Sequence, residues 1–502
     1  MKKIVIALLS LVVVLSIAGS VAMARPGGGH SFSSHSSSHG GGGGGGGFGG
    51  GGGFGGGGGG GGGGNLDGGD LVIVFVIGIG AVIAVIIYAA LRSAIQRSQV
   101  ATGDTWAQAF EPATTFQPPP QTGDLGAAVA ADPDFSVAVF EDFAYQLYAA
   151  AHLARADATR LAALAPYIAP GPRAWLEHRQ SQPPRAVVVG ALHVERAAKV
   201  GDQVQITVKI ESNLVGATAT GYSIEHWRFT RSATARTKPP NRTHTWPCPN
   251  CGAPWKAADG NAATCAYCGE ATTHGKFDWQ LESAHQDKFE TFGPTLTGTV
   301  AEEGTDAPTI VDPAARETWN ALHADDPAVT WEAFTRRVQL VYTRMNTAWN
   351  GLELAPAGGL VTSAMLDFLR YWTDEYKRQG LRNVLANATM SSSELVKVRR
   401  DTYYDAVTVR VFAAGNDYTV DANDRVVGGS KTELRAYTEY WTFLRASTRR
   451  GPIHAEPVCA NCGAPLDVVA DSGTCASCNA VIDNGSFDFV LSKIEQDEVY
   501  EG

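Results

Sequence analysis

The sequence predicts an α+β protein in which one domain, carrying a four-cysteine zinc ribbon, occurs twice in tandem behind a single membrane span. Three observations carry this reading: paired CxxC motifs at matched spacing, recurrence of the residues around them, and one uninterrupted apolar run near the N-terminus. At 502 residues the chain exceeds what one core serves, since domains cluster around roughly 100–150 residues. Two or three folded units are expected.

All 8 cysteines fall into two compact clusters. Cys248 and Cys251 are followed by Cys265 and Cys268; Cys459 and Cys462 are followed by Cys475 and Cys478. Two CxxC knuckles on a short hairpin place four thiolates tetrahedrally around one Zn²⁺ and leave no ligand position for water. Each cluster is therefore expected to hold one structural zinc ion, two per chain, using all eight sulfurs. Iron–sulfur ligation and thioredoxin-like redox chemistry compete for the same motif, but the latter needs a βαβ setting that is missing here.

The clusters sit inside longer repeats. Cys-Pro-Asn-Cys-Gly-Ala-Pro from Cys248 matches Cys-Ala-Asn-Cys-Gly-Ala-Pro from Cys459. Upstream, Glu225-His226-Trp227-Arg228-Phe229 parallels Glu439-Tyr440-Trp441-Thr442-Phe443; downstream, Gly275-Lys276-Phe277-Asp278-Trp279 parallels Gly485-Ser486-Phe487-Asp488-Phe489. Such self-similarity marks a tandem duplication. Apolar residues alternate on both flanks, so each ribbon is expected to replace the turn between two strands and to project from the sheet edge.

Ahead of those strands, helical spacing predicts helices near Phe135–Trp175, Trp331–Leu352 and Leu360–Leu381. Alternation predicts strands at Val204-Ile206-Val208-Ile210, Leu395–Val398 and Val407-Val409-Val411. Helices before a strand meander imply an antiparallel sheet wrapped against its helices.

Trp331 to Trp349, Tyr371-Trp372, and the strands Tyr440–Phe443 and Asp488–Leu491 resemble the Tim-forty-four-like domain family; Phe135–Trp175 and Glu225–Phe229 resemble it in the first copy. The resemblance implies two tandem cystatin-like, nuclear-transport-factor-like cone domains, each interrupted by a ribbon. It further implies membrane-proximal tethering, with protein clients or lipid held in the concave faces, and carries no catalytic residue across. The duplication and the ribbons depart from the mitochondrial pattern, whose import-motor partnership is not expected here.

Met1–Ala24 has basic Lys2 and Lys3, an apolar stretch and a small-residue end, as in a secretory signal or an uncleaved anchor. Arg25–Asp70 holds His30, His35 and His39 among serines and then polyglycine, a composition expected to stay disordered and to bind metal weakly at most. Leu71–Leu91 carries no charge, and at about 1.5 Å per residue it reaches about 31 Å, enough for one span. Arg92 and Arg97 after the span place the C-terminal part on the cytoplasmic side. With the family resemblance, the expected location is a bacterial inner membrane. The chain thus divides into a signal or anchor (1–24), a linker (25–70), a transmembrane helix (71–91), a linker (92–130), a first domain (131–290) with ribbon 247–270, a linker (291–325), and a second domain (326–502) with ribbon 458–480.

A formal net charge of -10 argues against general nucleic-acid binding. Lys256 is nearly alone in the first ribbon and Asp467, Asp471 and Asp483 occupy the second, although Arg231, Arg236, Arg242, Arg445, Arg449 and Arg450 lie just outside. Trp255 and Tyr267 are candidates for protein contact on the ribbon surface. Phosphate loops, zinc-hydrolase motifs and a serine elbow are missing, so a non-enzymatic scaffold is expected. An enzyme reading would need an inward-facing acid–base pair drawn from residues such as His193, His226 or Asp405.

Overall fold

The computed structural model describes residues 125–179, 182–217, 219–240, 245–259, 261–292, 296, 302, 304–466, 473–497, 500 and 502. The signal segment, glycine-rich linker and apolar run 71–91 lie outside the described residues, as do Arg242, Asp467 and Asp471. Among the described residues no helix is long and apolar enough to cross a membrane.

The first half opens with helices α1 (Gly126–Ala131), α2 (Val137–Ala154), α3 (Ala158–Ala163) and α4 (Pro170–Glu177). The stretch read as helical from Phe135 to Trp175 is therefore three helices. Ala156 adopts a left-handed φ of 67°, and Asp157 then caps α3 by accepting from the Thr159 and Arg160 amides, which ends one helix and starts the next. On α2, Phe140, Ala144, Leu147, Tyr148 and Ala151 share the buried face, the 3.6-residue period that pins a helix to a sheet.

Strands β1 (Ala186–Val200), β2 (Gln203–Val215), β3 (Thr220–Ser232) and β6 (Gln280–Phe292) form an antiparallel sheet in the order β1-β2-β3-β6. On β2, Val204, Ile206, Val208 and Ile210 turn inward and are buried. The ribbon, which contains the small hairpin β4 (Ala257–Ala258) and β5 (Asn261–Cys265), lies between β3 and β6. It occupies the place of a hairpin turn, as the alternation predicted.

The second half runs through the same order. Helices α5 (Ala315–Asp325), α6 (Trp331–Gly351) and α7 (Ser363–Arg378) precede β7 (Leu381–Arg400), β8 (Tyr404–Asp421), β9 (Val426–Gly429), β10 (Arg435–Ala446) and β11 (Val490–Gln496). The sheet order is β11-β10-β8-β7, with β9 beside β8 and the second ribbon between β10 and β11. Helices α1 and α5 fall in the stretches expected to be linkers. Their buried sides, Ala128 on α1 and Trp319 and Leu322 on α5, were too short a periodic signal against those stretches.

Matching contacts hold both halves. Phe140 meets Phe229 and Trp279 edge-on at 5.6 and 5.1 Å, and Phe334 meets Phe443 and Phe489 at 5.5 and 5.0 Å. The segment before α4 pairs with β6 through Leu281 N to Tyr167 O at 2.8 Å, and the segment before α7 pairs with β11 through Leu491 N to Leu360 O at 2.9 Å. These aromatic trios bind helix, third strand and closing strand together, each pair adding about 0.5–1.5 kcal/mol beyond area burial.

A buried ion pair anchors each trio. Arg231, at the end of β3, reaches Asp132 at 2.7 Å, and Arg445, at the end of β10, reaches Asp326 at 2.5 Å. Arg231 also lies over the Trp279 ring at 4.4 Å and Arg445 over Phe489 at 5.0 Å. Thr237 donates twice more to Asp132, and the Gly451 amide donates to Asp326. Burial alone would raise both carboxyls, but these hydrogen bonds and the arginine charges hold each below the usual aspartate range. Arg231 and Arg445 are thus structural, not available to a phosphate backbone. Asp132→Asn or Asp326→Asn leaves a guanidinium buried without its anion and is expected to destabilise its half by about 3–5 kcal/mol in denaturant unfolding. Because both pKa values are depressed, the stabilisation is full above about pH 4 and drains away as pH falls below it, an effect the two substitutions are expected to remove.

Candidate metal centres and buried polar cluster

Each CxxC forms a knuckle whose geometry follows from the residue after its second cysteine. Gly252, Gly269, Gly463 and Asn479 take left-handed φ values of 74°, 72°, 76° and 56°, conformations that glycine and asparagine tolerate best. Each turns its amide back to the first cysteine carbonyl: Gly252 N to Cys248 O and Gly269 N to Cys265 O at 2.9 Å, Gly463 N to Cys459 O and Asn479 N to Cys475 O at 2.8 Å. Both cysteines of a knuckle thereby aim at one point.

The structure brings together all eight predicted ligands. Within each four-cysteine cluster the sulfurs lie within 4.8 Å of one another. Cys248 and Cys268 are 3.9 Å apart and Cys251 and Cys265 4.0 Å; Cys459 and Cys478 are 3.9 Å apart and Cys462 and Cys475 3.8 Å. A tetrahedron with metal–sulfur bonds of about 2.3 Å has edges of about 3.8 Å, whereas a disulfide needs about 2.05 Å. The cysteines are free, so each cluster is shaped to hold a metal ion.

The thiols are not equivalent. Burial pushes Cys248 and Cys459 up to about 12. The Glu270 amide and the Asn250 side chain draw Cys268 down to about 7, and Asn461 draws Cys478 down to about 6. Asn250 and Asn461 donate to these sulfurs at 3.6 and 3.4 Å. Only a cation drives the buried thiol of each cluster to thiolate near neutral pH, so metal loading and proton release are coupled.

Each ribbon is fastened to its own domain. Trp246 packs on Phe143 and Tyr167 at 5.8 and 5.1 Å, and the Tyr167 hydroxyl donates to Pro247 O at 2.8 Å. Past each cluster, Gly275 and Gly485 take φ values of 61° and 75° against the ends of β3 and β10. A Cβ on Gly275 would stand 2.3 Å from Thr230 O. Of the predicted surface aromatics, Tyr267 is 62% exposed while Trp255 is half-buried.

The acid–base candidates fare differently. His226 lies on the outer sheet face with Glu195 and Asp287 at 2.8 Å each, and His193 shares that face in the same row through Lys209. Neither faces inward, because the strand alternation turns Glu225 and Trp227 to the core instead. Asp405 is buried but bound to Arg400 Nε at 2.9 Å.

The inward pair is one that sequence reasoning missed. His152 on α2 lies 3.1 Å from Glu225, both with no exposed side-chain surface. Glu225 also accepts from Arg179, Ser223 and Trp227, each at 2.9 Å. Burial would raise its carboxyl, yet His152 and Arg179 hold it at about 2, while burial keeps His152 below its usual value. In the second half Glu439 accepts from Trp441 at 2.9 Å, but Asn346 stands where the helix register would repeat His152. A histidine inside an apolar helix face gives no periodic signal; only its register against the repeat could have marked it.

Residues 315–454 match the family model of the Tim44-like domain. This Tim44-like domain runs from the start of α5 through β10 and stops just short of the second ribbon. No curated protein matches the chain. In metal analysis, two bound ions per chain are expected, falling to one in Cys459→Ser plus Cys462→Ser with the first ribbon unaffected.

Proposed function

We propose that this chain is a membrane-anchored, non-enzymatic scaffold built from two copies of one Tim44-like α+β domain, each stabilised by a zinc ribbon and docking protein clients or lipid. The observation that carries the reading is the Tim44-like domain at residues 315–454, which suggests a membrane-associated, protein-binding role. Supporting the duplication are the paired aromatic trios and the equivalent Asp–Arg pairs. Zinc is the ion that best fits closed four-sulfur sites with no open position, since such sites are structural rather than catalytic. The apolar run 71–91 supplies the anchor and places the domains on the cytoplasmic side, a reducing compartment in which free thiolates persist.

Acid–base catalysis is the competing reading, favoured by the His152–Glu225 contact. Two features weigh against it: Glu225 is saturated by donors, and neither side chain reaches solvent. Neither group is open to a reacting molecule in this arrangement. The acidic net charge and the buried arginines likewise disfavour a nucleic-acid role.

Crosslinking and affinity capture of the full chain from membranes test the scaffold reading. Specific protein or lipid partners are expected with the wild type. A ribbon that docks clients loses them in Cys459→Ser plus Cys462→Ser; a ribbon that only staples the fold keeps them. Recovery of no partner above an unrelated membrane protein sinks the scaffold.

A further inference from the structure

We propose that the cleft between the two halves binds a small organic oxyanion, a carboxylate or phosphate carried on an apolar body. The cleft is a cavity of about 320 Å³, the size of an ordinary small-molecule site. It is distinct from the cone interiors and from the ribbons, and the inference does not rest on the scaffold reading.

Its floor is the outer face of the second sheet. Lys397 on β7, Thr408 on β8, Thr442 on β10 and Lys493 on β11 are successive register partners, forming one polar row across the strands. Arg399 lies one step along β7 beside Ala406. The first half supplies the roof through α2 and the irregular part of β1, and Met365 and Phe368 of α7 close one side.

The charges in this row are unequally matched. Lys493 pairs with Glu495 at 3.0 Å, and Glu141 on α2 adds a second negative charge near it. Lys397 and Arg399 make no side-chain hydrogen bond or ion pair among the described residues. Burial, and then the Arg399 charge, push the half-buried Lys397 ammonium down to about 8 against the opposing pull of Asp312 and Glu495, so its lost hydration outweighs the anions around it. The Thr408 and Thr442 hydroxyls lie 2.9 Å apart; one proton joins them and the other is free to donate outward. The carboxylates Glu141, Asp142, Asp401 and Glu495 also line the cavity; beside them the ammonium, the guanidinium and the hydroxyl donor of this row suit an oxyanion with an apolar body, and that anion offsets the dehydration of Lys397.

Titration calorimetry on the full chain in nanodiscs, with empty discs subtracted, tests this with octanoate, octyl phosphate, inorganic phosphate and octanol. One saturable site is expected for at least one of the octyl anions, the tighter of them identifying the headgroup. Octanol and inorganic phosphate are expected to bind at least about tenfold more weakly, as is the preferred octyl anion in Lys397→Met plus Arg399→Gln, since a charge-assisted hydrogen bond is worth that factor or more. No saturable binding, octanol binding as tightly, or unchanged affinity in a folded double variant overturns the proposal. Should that variant not fold, a photoreactive octanoate analogue on the native chain decides: labels on residues 137–145, 189–194, 362–368, 397–408, 442–444 or 492–495 support the site, and labels elsewhere overturn it.

Discussion

Everything in each half leans on one buried ion pair between the turn before a helix and the end of the third strand. Asp132 with Arg231, and Asp326 with Arg445, are secluded from solvent. A buried pair of this kind contributes little net free energy when intact but is costly to break. Its value here is positional. The guanidinium lies over the aromatic ring that opens the closing strand, so the charge fixes where Trp279 and Phe489 sit and thereby where each ribbon leaves the sheet.

The ribbons complete this logic. A hairpin turn would join β3 to β6 in a few residues; instead the chain leaves through Thr237 or Gly451, each tied to the buried aspartate, and returns through Gly275 or Gly485, each pressed against the strand it left. The cysteine cluster thus ties together a long excursion whose two ends are already held. Inside the first half, the His152–Glu225–Arg179 network fills the space under Trp227 with bonded polar groups, leaving only His152 Nδ1 of that imidazole without a partner; in the second half the Tyr342 and Tyr437 hydroxyls meet at 2.9 Å.

Much of this was legible in the residues. The CxxC spacing anticipated that the eight cysteines gather into two clusters of four, because knuckle geometry is local and is set by the residue that follows. Alternation around Trp227 and Trp441 revealed the strands on either side of each ribbon. The buried aspartates escaped notice although a signal existed: Asp132-Pro133-Asp134-Phe135-Ser136 and Asp326-Pro327-Ala328-Val329-Thr330 both place an aspartate before proline four residues ahead of a helix cap. Read alone, each is an ordinary turn; only the distant arginine makes it a core element. His193 and His226 were misplaced for the same reason, since strand periodicity gives two faces without saying which is covered.

The insertion of a ribbon between the last two strands also shapes how each domain is made. Strand β6 carries Trp279's neighbours Gln280 and Leu281 into the core, yet it is separated from its partner by everything between Ser232 and Gln280. Closing so long a connection costs chain entropy before any contact rewards it. A metal ion that drew the four sulfurs of a cluster together would shorten the effective connection and ease the gain of the final strand. Nascent chains short of metal would carry an open sheet edge, a template for pairing with other chains.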